Sequence, residues 1–133
     1  MMRKATIVFA TFGLMALWGC QSGHNRQAQK FSQMARSINQ SCPQRMSETI
    51  RLDSTNYDEK NNVMSYFYSV SGELDDAAYM SAYYDTFKQA LQEAVDNSIE
   101  MEEYRKYGTS IRYVYFSGSN QKQLAEFSFN SPK

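Results

Sequence analysis

Histidine, tryptophan, proline and cysteine are scarce: one histidine, one tryptophan, two prolines and two cysteines stand among 133 residues. Each shortage excludes something. With His24 as the sole imidazole, paired-histidine zinc motifs cannot form, and Ser-His-Asp or Cys-His catalysis has one base to draw on, in a polar stretch near the N-terminus. Two cysteines cannot staple a disulfide framework. The six glycines fall in no phosphate-binding loop or nucleophile elbow. The longest uncharged apolar run, Ala5 to Leu17, has 13 residues, short of the ~20 that span a bilayer. Acids and bases balance at fourteen each, so no global basic field points to nucleic acid.

What the chain does have begins with Arg3 and Lys4, followed by that apolar run and then Leu17-Trp18-Gly19-Cys20. A positive flank followed by a short uncharged apolar centre matches the first two parts of an export signal. The apolar side chains cover every face of a helical wheel, which argues against a surface helix of the folded domain. Leu17 to Cys20 resembles the lipobox of bacterial lipoproteins. The resemblance implies a signal peptide over 1–19 and Cys20 as the mature N-terminus. It also implies a thioether-linked diacylglycerol and an N-acyl chain on that cysteine, and two or more chains make a stable membrane anchor. Gln21 stands where an aspartate would favour the inner membrane, and Gln21 to Lys30 holds no acid. The expectation is therefore a lipoprotein of the cell envelope, facing the periplasm, with the outer membrane favoured.

Residues 20–27 are polar and lack apolar periodicity, which reads as a lipidated tether, and 28–133 read as one domain. Once Cys20 is acylated, Cys42 is the remaining thiol, expected to be buried near the end of the first helix, which Pro43 stops. In that helix Phe31, Met34, Ala35 and Ile38 form one stripe. Ile50 and Leu52 alternate with polar neighbours, Tyr57 to Asn62 reads as a turn, and Val63 to Val70 as a second strand. Glu73, Asp75 and Asp76 precede a long helix whose stripe is Met80, Tyr84, Phe87, Leu91 and Val95. Asn97 reads as the cap of a short third helix ended by Gly108. Ser110 to Ser117 and Leu124 to Phe129 read as a second hairpin. The fold class expected is α+β, a two-layer sandwich in which two hairpins form a four-stranded antiparallel sheet with helices mainly on one face.

No chemistry-bearing constellation emerges. Asp53 to Asn62 superficially suits a calcium loop, yet Asp58 takes the place of the required glycine and Met64 that of the bidentate glutamate. The chain therefore reads as non-enzymatic, with no metal and no cofactor besides the lipid on Cys20. Charge is unevenly spread: residues 52–103 hold twelve acids and two lysines. An acidic helix layer interspersed with Tyr79, Tyr83, Tyr104 and Tyr107 reads as a docking surface for a protein or other envelope partner, because complementary charge steers encounter and tyrosine supplies amphipathic contact area. The alternative is a small apolar ligand held between sheet and helices. Cys42-Pro43, Arg51 to Ser54 and Arg112 to Tyr115 are similar to patches in small exported bacterial proteins of no assigned function. That likeness implies an exported domain and no activity.

Overall fold

The first helix follows from its stripe. In a computed structural model, which describes residues 23–130, α1 runs Gly23–Gln40 and buries Phe31 and Ala35 against the sheet, with Ala28, Met34 and Ile38 packed at the margin. Residues 23–27 of the expected tether are therefore helical. The reason is partly visible at Gln27, which is buried and donates to the Tyr57 hydroxyl at 3.0 Å, a contact no apolar periodicity reveals. The signal segment and Cys20 lie outside the described residues.

Five strands follow in spatial order β1-β2-β3-β4-β5: β1 Gln44–Arg45, β2 Ile50–Asp58, β3 Val63–Val70, β4 Ser110–Ser117 and β5 Gln123–Phe129. Both expected hairpins are present, β2–β3 and β4–β5, each antiparallel. The sheet is nevertheless mixed, which corrects the four-stranded antiparallel expectation. Strands β3 and β4 run parallel, Val63 beside Ser110 and Val70 beside Ser117. The cause is the connection: the chain leaves the end of β3, crosses the sheet through the helix layer and re-enters at the end where β3 began, as parallel pairing requires. The fifth strand, β1, has two residues and no periodicity to read.

Strand β2 carries a bulge, since its register with β3 shifts between Leu52 and Ser54. The extra residue lets Leu52, Thr55 and Tyr57 all be buried, although strict alternation would turn Thr55 and Tyr57 outward. Tyr57, expected in a turn, is a core residue. Its hydroxyl accepts from Gln27 and donates to Asn62 Oδ1 at 2.7 Å. Asn62, at φ 56°, also accepts from Thr109 Oγ1 at 2.8 Å, joining the first hairpin's turn to the start of β4.

Between β3 and β4 a 3-10 turn, Gly72–Leu74, leads to α2 (Ala77–Ala82), α3 (Tyr84–Asn97), a second 3-10 turn (Ile99–Met101) and α4 (Glu102–Lys106). Asp76 caps α2 by accepting from Ala78 N–H at 2.8 Å. The expected single long helix is two, broken at Tyr83, whose φ −104° and ψ 15° leave the helical region. The second 3-10 turn, which leads directly into α4, is capped by Ser98, which accepts from Met101 N–H at 3.3 Å, rather than by Asn97, whose amide donates to the Glu93 carbonyl. Arg105 donates to the carbonyls of Val95 and Ser98 at 2.8 and 2.9 Å, satisfying acceptors left open at the end of α3. Gly108, at φ +65°, takes the left-handed cap expected of it.

Among the described residues all four helices cover one face of the sheet, where Met64, Tyr66, Ile111, Tyr113, Ala125, Phe127 and Phe129 meet Phe31, Met80, Val95 and Tyr104 in one core. Rings dominate it: Phe31 stands edge-on to Tyr57 at 5.4 Å and Tyr84 stacks on Phe127 at 4.6 Å. The fold is thus α+β with helices on one side, as the sequence implied. On the other face Arg112 lies over the Phe67 ring at 5.7 Å and pairs with Glu126 at 3.0 Å, sheltering Val114 completely.

Candidate functional site

The helix layer divides into two patches, and the four tyrosines singled out by the sequence fall in pairs. Tyr79 and Tyr83, one helical turn apart, lie with ring centroids 4.7 Å from each other. Phe87 extends the row, 6.4 Å from Tyr83. The helix break at Tyr83 positions this ladder by ending α2 and starting α3 within a single residue. Tyr83 is 47 % exposed, and its neighbours in the ladder are half-buried.

Tyr104 and Tyr107 belong elsewhere. Both pack on Phe31, at 4.8 and 5.9 Å. Tyr104 is buried, 2 % exposed, with its hydroxyl 3.4 Å from that of Tyr66. A partner arriving from solvent does not meet it. Tyr107 is exposed beneath Lys106, whose ammonium lies 5.6 Å from the ring. The sequence could not separate the two, because α4 has five residues, too few for a stripe to declare its direction.

Beside the ladder the packing of helices on sheet is incomplete. An apolar slot of about 180 Å³ opens between α2, α3 and the strands, its walls including Leu74, Met80, Phe87, Ala90, Leu91 and Phe127. Tyr115 contributes a ring to it and is backed by Tyr68, stacked at 5.0 Å. Burial holds the hydroxyls of both tyrosines in the protonated form, Tyr115 being pushed up to about 12. Phe87 is shared by ladder and slot. In sequence the lining residues form an ordinary core stripe, and nothing in that stripe reveals a gap.

Ile50 and Val70, which line the slot too, also wall a wider, more open groove of about 420 Å³, edged by Arg45, Glu48, Thr49, Arg51, Asp75 and Ser119. Its geometry is explained by structure. Asp75 accepts from the Ser117 hydroxyl and from Ser119 N–H, bonds that hold its carboxyl below the usual range. The Gly118 N–H donates to the Val70 carbonyl at 2.8 Å, and a Cβ at Gly118 would stand 2.7 Å from that oxygen. The groove is thus the seam where the β4–β5 turn is tied to the end of β3.

Cys42 is half-buried against the core, and burial beside Asp53 raises its thiol, which disfavours the nucleophilic thiolate. Among the described residues no helix is long and apolar enough to cross a membrane.

Two solved structures share this architecture. A protein of Pseudomonas aeruginosa described as a candidate secreted protein is 15 % identical, with a TM-score of 0.70 over 84 % of this chain and 96 % of its own. The pilotin EpsS from the Vibrio vulnificus type 2 secretion system is 8 % identical, with a TM-score of 0.57 over 83 % of this chain and 96 % of its own. No curated protein matches in sequence. Residues 25–125, well over half of the chain, match a family spanning all the described elements up to the middle of β5, and the chain belongs to that family, described as Domain of unknown function (DUF8479).

Proposed function

We propose that this protein is a non-enzymatic lipoprotein of the bacterial envelope, anchored through acylated Cys20, facing the periplasm from the outer membrane and binding a protein partner through the α2–α3 surface. The single observation that carries the reading is the apolar slot beside the Tyr79–Tyr83–Phe87 ladder. Aromatic side chains beside a pocket are the usual composition of an interface centre, where one anchored residue supplies much of the binding energy. The lipobox at Leu17 to Cys20 supports the envelope address. The shared fold of a candidate secreted protein and a secretion-system pilotin is consistent with an exported, partner-binding module.

The competing apolar-ligand reading has the slot's lining in its favour and its size against it. Small-molecule pockets usually hold ~300–1,000 Å³, and the slot's 180 Å³ is nearer the volume of one large side chain. The test has two parts. Cys20→Ser abolishes lipid labelling and membrane retention, and retention of the variant with membranes overturns the anchor. A photocrosslinking residue at Tyr83, introduced in cells, yields a discrete protein adduct, and absence of any adduct from correctly localised protein overturns the docking surface.

A further inference from the structure

We infer that the segment docking on this surface is cationic and inserts a single bulky apolar side chain into the slot. This deepens the proposed function and rests on it. Size comes first. An engineered cavity of roughly 150 Å³ accepts benzene, so a slot of about 180 Å³ accommodates a leucine, methionine or phenylalanine side chain. The opening is maintained by a small residue: Ala90 lines the slot while remaining exposed, so a larger side chain there has room to close it from outside the core.

Charge supplies the second argument. From the 3-10 turn through α3 the chain carries Glu73, Asp75, Asp76, Asp85, Glu93 and Asp96 against Lys88 alone. The ion pairs Lys30–Glu103, Arg51–Asp53 and Arg112–Glu126 contain none of those six carboxylates. Asp75 and Asp76 have structural tasks in the seam and the α2 cap. Glu73, Asp85, Glu93 and Asp96 remain exposed, giving this layer a negative potential that steers and orients a positive partner. The Tyr79 and Tyr83 rings add faces suited to lysine or arginine. An acidic segment would meet repulsion over the same surface.

The crosslinking experiment at Tyr83 separates this inference from the reading beneath it. The adduct is digested and the attached segment sequenced by mass spectrometry, and its yield is compared among the parent protein, Ala90→Phe and the double variant Glu73→Lys with Glu93→Lys. Expected are a net-positive segment containing a large apolar residue, and at least a tenfold loss of adduct in both variants, with thermal midpoints unchanged. Should Ala90→Phe fail to fold, Ala90→Leu takes its place. A neutral or acidic segment, an adduct with the mass of a lipid, or undiminished yield in either variant overturns the inference. A neutral or acidic protein adduct, or one of undiminished yield, leaves the docking surface standing, whereas a lipid adduct alone, or no adduct in any variant, removes both.

Discussion

Asn39 does with one side chain what a strand would do with its backbone. Its amide oxygen accepts from Thr55 N–H at 2.6 Å and its amide nitrogen donates to the Thr55 carbonyl at 2.9 Å. Thr55 lies beyond the two-residue reach of β1, which pairs with Leu52 and Arg51, so the helix completes the hydrogen bonding of the outer edge of β2. The Thr55 hydroxyl returns a bond to the Ala35 carbonyl at 3.0 Å. Asn39→Ala leaves the amide and carbonyl of a buried residue without these partners, and is expected to cost about 2 kcal/mol, read as a lower denaturant midpoint at unchanged slope. Asn39→Asp keeps the acceptor but loses the donor, and is expected to fall between. In sequence this residue was a polar position on the back of an amphipathic helix. Only the bulge at Leu52 and Ser54, which turns Thr55 inward, gives it a function.

At the scale of elements, pattern and outcome agree where one face of an element is buried and diverge where direction or continuity matters. Alternation in Val63 to Val70 and Leu124 to Phe129 was sufficient to find β3 and β5, because burying one face of a pleated strand imposes period two. It says nothing about whether a neighbour runs parallel, and hence the β3–β4 pairing was invisible. The break at Tyr83 has no glycine or proline to announce it, and the slot is a defect of packing between elements, which a stripe on one of them cannot report. The start of α2 was legible from the acids Glu73, Asp75 and Asp76 before it, and the structure singles out Asp76 among them as the cap. Asp76→Ala is expected to cost about 1 kcal/mol. Because α2 is a six-residue element at the rim of the core, the loss is expected as faster amide exchange within 77–82, with a smaller change in the global midpoint. Equal acceleration across α3 would show that the two helices unfold as one unit.

The molecule as a whole is organised around tyrosine. Burial raises the hydroxyl pKa of Tyr66, Tyr68, Tyr104, Tyr113 and Tyr115, with mutual repulsion adding to it at Tyr66 and Tyr68. The unfolded chain ionises these groups near pH ~10, while the folded chain holds their protons to higher pH. Their contribution to stability is therefore complete below pH ~10 and declines as pH rises from there through the folded values. The expected behaviour is an alkaline transition above pH ~10 in which tyrosinate absorbance from this cluster and loss of helical circular dichroism occur together. Replacing Tyr115 by Phe is expected to move that transition upward, because one fewer ionisable group favours the unfolded chain. Tyrosinate absorbance from the five appearing well before the helical signal falls would mean that the cluster is open to water in the native state.

The parallel alignment of β3 with β4 also governs how this chain reaches its fold. Each hairpin can zip from its own short turn, but their union waits until residues 71–109 have closed a long loop, and such closure carries an entropic penalty that grows with the logarithm of its length. The helices within that loop shorten the distance to be searched, so early order in α3 hastens the meeting of two preformed halves.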